Sequence, residues 1–438
     1  MNYIASEVLE FVAENDVKFI RLAFCDLLGE QKNISITADA LPRAFEKGVS
    51  FDASAVVGFK EVEASDLVLF PDASTLTILP WRPQHGRVMR MMCDIKYPDG
   101  QPFEGDGRYL LKQAIKKLDT YNIKCNVGTE CEFYLFELDE KGEPTTTPLD
   151  KGGYCDVAPL DKGENVRRDI CLTLEEMGIL PEKSHHEQGP GQNEIDFKYA
   201  QPLIAADHFV TFKSVVKAMA QRNGLFASFM PKPLETQSGN GLHINLSLER
   251  NGLNIFSTDK FTHSQEAEFF VEGILNRVKE MTAFINPLTN SYKRLGEFEA
   301  PMYITWGHQN RSQLIRIPAS TGEHSRMELR SPDPSCNPYI VIALLLQAGI
   351  EGIEQGRVLR ASVDHNLYQA SKETIENIEK LPQTLDEAIK CMKKSEFIKK
   401  ILPEATIKRY IDIKQKECTA VGLDETLGKE HDLYFYKI

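Results

Sequence analysis

The sequence predicts an α+β protein made of two units of unequal size, and three observations support this prediction. Short strands dominate the first part of the chain, a Pro- and Gly-rich segment at 97–102 is typical of a boundary, and helices then alternate with strands to about residue 360. We therefore expect a small domain at residues 1–100 and a large domain at residues 101–438. The length of 438 residues is compatible with this division.

The elements of the small unit follow from local patterns. A short helix is predicted at 6–14, and a turn at 26–30 joins two strands into a hairpin. The strands predicted in this unit lie at 17–24, 32–36, 67–70 and 88–95.

The large unit opens with a helix that Asp106 can cap, because apolar residues recur on one face directly after it. A second helix is predicted at 264–285. Pro338 is a suitable first residue for an apolar helix that reaches Gly352. The Lys-rich tail is predicted to be helical, with its lysines on a solvated face.

The composition excludes several classes of protein. With 51 Lys and Arg against 64 Asp and Glu, the formal charge of −13 argues against a nucleic-acid binder held by a general basic field. The nine cysteines form no Cys-x-x-Cys pair and are odd in number, which favours a reducing compartment over a zinc cluster or a disulfide framework. No signal peptide is visible, and the longest apolar run, at 339–346, is too short to cross a bilayer. We therefore predict a cytoplasmic protein without a membrane span.

The most informative signal is that four predicted strands each have one polar face, since alternate residues of a strand share a face. Any one such face would ordinarily meet water. Together, however, these faces carry paired carboxylates, a histidine and alternating arginines where a solvent face would carry Lys, Thr and Ser. The polar residues are Glu130 and Glu132; Glu194, Asp196 and Lys198; His243, Asn245 and Ser247; and Arg326, Glu328 and Arg330.

If these faces line one cavity, their carboxylates repel one another unless a cation lies among them. Glu and His ligands without Cys suit Mg²⁺ or Mn²⁺, and arginines bind carboxylate and phosphate groups. Divalent cations combined with arginines are typical of phosphoryl transfer. The sequence contains no Gly-x-x-x-x-Gly-Lys-Ser/Thr, so a P-loop ATPase is not indicated.

Two loops add to this pattern. The segment 184–194 carries two His and two Glu around a Gly-Pro-Gly turn, although the His pair alone is equally typical of an ordinary surface. The segment 291–301 mixes flexible and charged residues, which suits a mobile lid.

Taken in order, these segments resemble the class I glutamine synthetase family, in its short bacterial and archaeal form. The resemblance runs through nearly the whole chain. Its motifs are Ser-His-His-Glu with Gly-Gln-x-Glu at 184–194, Phe-Met-Pro-Lys-Pro-Leu at 229–234, Asn-Ser-Tyr-Lys-Arg-Leu at 290–295, Glu-Ala-Pro at 299–301, Asn-Arg-Ser at 310–312 and Met-Glu-Leu-Arg-Ser-Pro-Asp-Pro at 327–334.

The resemblance implies a β-grasp-like N-terminal domain and an α/β catalytic domain with a curved antiparallel sheet. It also implies a dodecamer of two stacked hexameric rings, with each active site shared between neighbouring subunits. The implied reaction uses ATP to phosphorylate the side-chain carboxylate of glutamate, after which ammonia displaces phosphate.

The resemblance also implies a role for each site residue. One divalent cation is assigned to Glu132, Glu187 and Glu194, and a second to Glu130, His243 and Glu328. Glutamate is assigned to Arg294 and Arg330, with Glu132, Gly239 and His243 beside it. The ATP phosphates are assigned to Arg311 and Arg316, and the rest of the nucleotide to Asn245, Ser247 and Arg326. Ammonium is assigned to Asp52 and Glu299, and Glu299 also closes the lid.

The sequence departs from the family pattern around the amino-acid and ammonia pockets. Phe-Asp-Gly-Ser-Ser becomes Phe-Asp-Ala-Ser-Ala at 51–55, Asn-Gly-Ser-Gly-Met-His becomes Ser-Gly-Asn-Gly-Leu-His at 238–243, and the lid is one residue shorter. The motif around Tyr368 lacks the acidic sequence that accompanies adenylylation. Three hypotheses remain: a glutamine synthetase, a γ-glutamyl-amine ligase acting on a polyamine, ethanolamine or a similar amine, and a non-catalytic structural relative.

Overall fold

A computed structural model describes residues 3–257, 263–422 and 426–438. These residues form one sheet in each predicted unit and two hydrophobic cores. The smaller core belongs almost entirely to the small unit, and the larger core of the large unit also includes Ala23, Cys25, Leu27 and Met92. The predicted α+β class is confirmed. Within the described ranges, no helix combines the length and the apolar composition that a membrane span requires.

The small unit is a six-stranded sheet with the order β2-β1-β6-β4-β3, and β5 pairs with β6. The neighbours β1 and β6 are parallel, whereas the other pairs are antiparallel. The predicted helix, hairpin and strands are all present. The elements are α1 (Ala5–Glu14), β1 (Val17–Cys25), β2 (Gln31–Thr37), α2 (Leu41–Lys47), β3 (Val49–Asp52), β4 (Asp66–Pro71), β5 (Thr77–Ile78) and β6 (Arg87–Lys96).

The large unit contains a ten-stranded sheet with the order β14-β15-β16-β12-β7-β10-β9. Strands β8 and β11 extend it beside β7, and β13 beside β12. All of its pairs are antiparallel except β14 with β15. The strands are β7 (Lys124–Leu138), β8 (Pro144–Pro148), β9 (Pro181–His186), β10 (Gln192–Phe197), β11 (Leu225–Ser228), β12 (Leu242–Arg250), β13 (Leu253–Asn254), β14 (Trp306–His308), β15 (Ile315–Ile317) and β16 (Met327–Leu329).

Helices cover the apolar side of this sheet, and the predicted helix starts are confirmed. The Asp106 carboxylate accepts the Arg108 N–H at the start of the first helix, and Ser264 and Asn337 cap two later ones. The helices are α3 (Gly107–Thr120), α4 (Glu164–Glu176), α5 (Pro202–Arg222), α6 (Gln265–Ile285), α7 (Pro338–Gln355), α8 (Lys372–Ile375), α9 (Leu385–Lys394), α10 (Glu396–Ile401), α11 (Glu404–Val421) and α12 (Gly428–Glu430).

Helices α6 and α7 pack unusually closely at the centre of the core. A Cβ added at Gly273 would lie 2.2 Å from the Ala348 carbonyl oxygen, and one added at Gly352 would lie 2.1 Å from the Phe269 carbonyl oxygen. Only glycine allows the two backbones to approach to this distance. This contact joins two central helices of the layer that covers the large sheet.

Strand register brings the four polar faces together. In β7 and β12, Glu130 lies opposite His243, and in β7 and β10, Glu132 lies opposite Glu194. Asn245 of β12 lies opposite Glu328 of β16. Because directly opposite residues of antiparallel strands point to the same side of the sheet, one face of the sheet collects the carboxylates.

Candidate metal and substrate site

The polar face of the large sheet forms the floor of a cavity of about 880 Å³. Most of the predicted site residues line this one cavity: Glu130, Glu132, Glu187, Glu194, Gly239, His243, Arg294, Glu299, Arg311, Arg316, Arg326 and Arg330. Asn245 and Ser247 line an adjoining cleft, which shares Glu130 and Arg326 with the cavity. The sheet therefore gathers residues that are far apart in the sequence.

One group of candidate ligands, here the Glu328 group, consists of Glu130, His243 and Glu328. One ligand atom from each lies within 4.8 Å of the others. The Glu328 carboxylate also accepts hydrogen bonds from Arg316 Nη1 at 2.5 Å and Arg330 Nη1 at 2.6 Å. Burial opposes ionisation of Glu328, but the charges of Arg330 and His243 outweigh it and lower its pKa.

Glu130 is ionised for a similar reason. Burial again raises its pKa, but hydrogen bonds from His243 and Asn245 and the charge of His243 lower it to about 2. The Nδ2 atom of Asn245 donates to Glu130 Oε1 at 2.9 Å, and Arg326 Nε donates to the Asn245 side-chain oxygen at 2.8 Å. The negative charges of Glu328 and Glu130 are therefore stabilised by positive and polar side chains of the protein itself.

The second group, here the Glu194 group, consists of His185, Glu187 and Glu194, with Glu132 beside it. The candidate ligand atoms of the first three lie within 4.8 Å of one another. The Nε2 atom of His185 is 3.1 Å from Glu187 Oε1 and 3.9 Å from Glu194 Oε2. The Glu132 carboxylate accepts the Gly241 N–H at 2.7 Å.

The charges of the Glu194 group are poorly balanced. Burial and the neighbouring carboxylates of Asp196 and Glu132 raise the pKa of Glu194 well above its ordinary value. Burial also raises the pKa of Glu132, and burial with the charge of Glu130 raises the pKa of Asp196 to about 6. No arginine or lysine forms an ion pair with Glu132 or Glu194 in the described part of the chain.

These two groups fit divalent cations. Their donors are carboxylate oxygens and imidazole nitrogens without a thiolate, which is the ligand set that Mg²⁺ and Mn²⁺ accept. A cation beside Glu194 and Glu132 would also relieve the like-charge repulsion that, together with burial, raises the pKa values of these two carboxyl groups. Glu328 and Glu130 would contribute ligands to a second cation.

Arg294 is the cavity arginine best placed to receive an anion. It is buried, and its two terminal nitrogens donate only to carbonyl oxygens, at 2.9 Å to Ser331 and 3.3 Å to Arg330. Gly239 and Gly241 make room for it: an added Cβ would lie 2.8 Å from Arg294 Cγ at Gly239 and 2.7 Å from Arg294 Nη2 at Gly241. These glycines therefore shape the pocket beside the guanidinium.

The predicted lid segment lies over the cavity in a constrained conformation. Phe298 and Glu299 have φ angles of 44° and 65°, in the left-handed region that non-glycine residues seldom adopt. The Lys232 ammonium anchors the segment, at 3.1 Å from Glu297 Oε2 and 4.6 Å from the centre of the Phe298 ring. Arg330 Nη2 also donates to the Glu299 carbonyl oxygen at 3.4 Å, so the segment is held from both sides while the exposed Glu299 side chain lines the cavity.

Asp52, a predicted site residue, lines neither the cavity nor the adjoining cleft. Asp52 lies at the end of β3 in the small unit, exposed, and its carboxylate accepts the Ser54 N–H and hydroxyl at 2.9 and 2.6 Å. The hydroxyl and backbone hydrogen bonds of Ser54 lower the pKa of Asp52. The other predicted site residues of the same chain line the cavity or the cleft, apart from Glu328. Glu328 is buried and accepts hydrogen bonds from Arg316 and Arg330 of the cavity wall.

Sequence reasoning missed His185 as a candidate ligand, because a histidine pair in a loop is ordinarily a surface feature. The signal that identifies it is register, since His185 of β9 lies directly opposite Glu194 of β10. Sequence reasoning also missed the direct pairing of Glu328 with Arg316, which depends on the short strands β15 and β16.

A two-layer large domain whose sheet gathers carboxylates and arginines in one cavity defines a metal-dependent enzyme that handles anionic substrates. The family model described as glutamine synthetase, catalytic domain, matches residues 104–429, and the model described as glutamine synthetase, beta-Grasp domain, matches residues 16–98. The chain belongs to the glutamine synthetase family. The predicted β-grasp-like N-terminal domain and the predicted family are confirmed.

Individual proteins support the same assignment. The chain is 48% identical to a glutamine synthetase of Clostridium saccharobutylicum over 98% of this chain and 97% of that protein. It is 50% identical to a glutamine synthetase of Methanosarcina mazei over 94% of this chain and 93% of that protein. A solved structure of GmaS with ADP has a TM-score of 0.87 and 31% identity, and each chain covers 99% of the other.

Proposed function

We propose that the chain is a glutamate–ammonia ligase that uses ATP and forms glutamine through γ-glutamyl phosphate. The supporting observation is that five of the six proposed cation ligands line one cavity, while the sixth, Glu328, is buried and hydrogen-bonded to two arginines of its wall. In the same cavity Arg294 has no carboxylate partner among the described residues. The chemistry also fits the family, whose members are ATP-dependent ligases. A carboxylate is a poor acyl donor because it has no good leaving group, and an acyl phosphate supplies one.

The arginines hold the anionic substrates. We propose that Arg294 and Arg330 bind glutamate, since Arg294 donates only to carbonyl oxygens and Arg330 lies beside it. Arg311 lines the cavity from an exposed position, and the Nε atom of Arg316 is buried without a hydrogen-bond partner. Both guanidinium groups are therefore placed to bind phosphate oxygens.

The first step joins a γ-carboxylate oxygen of glutamate to the γ-phosphorus of ATP and breaks the bond to the β-phosphate oxygen, which releases ADP. The positioned arginines offset the negative charge that accumulates on the phosphoryl oxygens. Divalent cations, which we propose to be two or more Mg²⁺ or Mn²⁺ ions per site, supply further charge neutralisation when bound.

The second step needs ammonia as the nucleophile. We propose that the Glu299 carboxylate attracts ammonium, takes one proton from the nitrogen, and covers the acyl phosphate against water. The ammonia nitrogen then attacks the carbonyl carbon of the acyl phosphate, which is Cδ of the glutamyl group, and the bond from that carbon to the phosphate oxygen breaks. The phosphate leaves with the bonding electrons, and the nitrogen loses a second proton to the departing phosphate or to solvent to give the amide. Asp52 would assist from a neighbouring copy of the chain, because it does not line the cavity of its own chain.

The proposal extends to assembly and location. We propose a dodecamer of two hexameric rings in the cytoplasm, with the boundary between the two domains near residue 100. The exposed position of Asp52 supports a site that is shared between subunits.

A γ-glutamyl-amine ligase is the second candidate. The exchange of Gly and Ser for Ala at 53 and 55 and the shorter lid alter the ammonia pocket while the cation ligands stay in place. An amine needs more room than ammonia and depends less on an anionic ammonium site. The retained carboxylates of Asp52 and Glu299 favour ammonia. A purely structural role would not require a cluster of buried carboxylates, which argues against the non-catalytic alternative.

A phosphate-release assay with glutamate, ATP and MgCl₂ tests the proposal. We expect turnover with ammonium chloride and little with putrescine, ethanolamine or methylamine. Turnover only with one of the amines would overturn glutamine formation in favour of the second candidate. Absence of turnover with every nucleophile would favour the structural relative.

A further inference from the structure

A second cavity lies at the junction of the two units, away from the catalytic cavity. This junction cavity has a volume of about 670 Å³. Its walls come from β5 and β6 of the small unit, from the N-terminal part of α5, and from the turn that follows α4. Its volume lies within the range of roughly 300–1,000 Å³ that is typical of sites for small molecules.

Two buried arginines line the junction cavity, and they differ in their partners. Arg108 donates to three carboxylates: Nη1 to Asp94 at 2.6 Å, Nη2 to Asp72 at 2.8 Å, and Nη2 and Nε to Asp207 at 3.1 and 3.3 Å. Arg90 is 7% exposed and makes no hydrogen bond or ion pair with any described residue. Its Nε atom is fully buried without an acceptor.

A buried guanidinium group without hydrogen-bond acceptors lowers the free energy of unfolding. Arginine stays protonated in proteins and offers five N–H donors, and a buried polar group without acceptors loses the free energy of its hydration. Asp207 is the carboxylate whose charge acts most strongly on Arg90, but its oxygens already accept from Arg108 and from the Tyr339 hydroxyl at 2.6 Å. The donors of Arg90 therefore lack acceptors within the described chain.

The other walls indicate what kind of acceptor would fit. His208 lines the cavity and makes no hydrogen bond within the described residues, and burial together with the charge of Arg90 lowers its pKa, so it is neutral near pH 7. Asp207 would repel a strongly charged dianion. The remaining walls combine apolar side chains, among them Ile78, Met92, Ile179 and Ile204, with the hydroxyl groups of Ser74, Thr75, Thr77 and Thr211. Glu176 lines the cavity from an exposed position.

We propose that the junction cavity binds a small organic monocarboxylate, whose carboxylate pairs with Arg90 and whose apolar part packs against Ile78, Met92 and Ile204. A carboxylate matches the planar fork of a guanidinium in two parallel hydrogen bonds. A single negative charge balances the single unpartnered positive charge. Because the walls come from both units, the bound ligand would hold the junction together and stabilise the folded chain.

Isothermal titration calorimetry of the full-length protein with sodium benzoate, at constant ionic strength, tests the proposal. We expect benzoate to bind the unmodified protein, and benzamide, its uncharged counterpart, to bind at least tenfold more weakly. We expect Arg90→Met to weaken benzoate binding at least tenfold and Arg294→Met, in the catalytic cavity, to leave it unchanged. Failure of benzoate to bind at millimolar concentration, or loss of binding in Arg294→Met in place of Arg90→Met, would overturn the proposal.

A second pair of variants avoids any change to the buried arginine. Ile204 lies at the exposed edge of the cavity in the first turn of α5, where a carboxylate is compatible with the helix dipole. We expect Ile204→Asp to weaken benzoate binding several-fold more than Ile204→Asn, because only Asp adds a negative charge. Equal affinities in these two variants would also overturn the proposal.

Discussion

The two carboxylate groups of the catalytic cavity lie on neighbouring strands of one sheet, yet their charges are balanced in different ways. Glu328 accepts from two arginines, and the pKa values of Glu328 and Glu130 are lowered. Glu194 and Glu132 have no such partners, and their pKa values are raised. The protein itself supplies positively charged partners for Glu328 and Glu130, whereas Glu194 and Glu132 lie among other carboxylates.

This difference distinguishes two kinds of buried carboxylate, which affect the stability of the fold in opposite ways. A carboxylate that is paired with arginines contributes to the stability of the fold, and its removal leaves buried positive charges behind. A carboxylate among other carboxylates costs stability until a cation binds, and its removal relieves repulsion. The two groups should therefore respond in opposite directions to the same kind of mutation.

The largest effect is expected at Glu328. Replacement of Glu328 by Ala leaves Arg316 and Arg330 without their carboxylate partner, so we expect a loss of about 3–5 kcal/mol of unfolding free energy. We also expect ATP-dependent turnover to fall by at least 10³-fold, since this residue is a proposed cation ligand. Urea unfolding and the phosphate-release assay measure the two effects, with Glu140→Ala on the surface as control. Unchanged stability would show that the arginines do not depend on Glu328.

The next effect is the response of the unmodified protein to divalent cations. A cation that binds only the folded state stabilises it by about 2.7 kcal/mol at a concentration one hundred times its dissociation constant. We therefore expect the melting temperature to rise with MnCl₂ or MgCl₂ and to fall after treatment with EDTA. An identical melting temperature in EDTA and in saturating MnCl₂ would contradict the need of the Glu194 group for a cation.

The opposite response is expected at Glu194. In EDTA at neutral pH, Glu194→Gln removes a carboxyl group that the fold must either hold protonated or ionise among other carboxylates. We therefore expect a gain of about 1–2 kcal/mol in unfolding free energy. The same substitution should reduce the rise in melting temperature on addition of MnCl₂. Parallel melts in EDTA and MnCl₂ test both statements, and Glu140→Gln serves as the matched surface control. A destabilised variant in EDTA would show that the two groups do not differ in the way described.

Much of this comparison could be predicted from the sequence, because alternate residues of a strand lie on the same face; we call this regularity strand parity. Alternation within a strand places Glu130 with Glu132 on one face, and antiparallel pairing preserves that face across the sheet. Parity does not specify which strands are neighbours or in what register they pair. The role of His185 opposite Glu194 therefore emerged only from the structure.

Two other features were beyond the reach of sequence reasoning for different reasons. The partners of a buried arginine depend on how two units pack, so nothing in the sequence distinguishes Arg90 from Arg108. Asp52 lies outside the cavity of its own chain, so its proposed role requires a neighbouring copy. The family resemblance supplied that role for Asp52, whereas periodicity and spacing did not.

The smallest effect is expected at Asp106, a buried carboxyl group that is not a proposed cation ligand. Asp106 caps α3 with one oxygen, while its other oxygen is buried without a partner. Burial, reinforced by the charge of Asp94, raises its pKa to about 7. Because this value exceeds that of the unfolded chain, the folded state binds more protons between about pH 4 and pH 7, and the contribution of Asp106 to stability is lost as the pH rises through 7.

Asp106→Asn keeps a capping oxygen and removes this titration. We expect the variant to gain on the order of 1 kcal/mol in unfolding free energy relative to the unmodified protein at pH 8, and to show no such gain at pH 5. Urea unfolding at the two pH values, with EDTA present throughout, measures the difference. An equal effect of the substitution at pH 5 and pH 8 would show that Asp106 is not protonated in the fold. The contrast between paired and unpaired carboxylates would then be confined to the catalytic cavity.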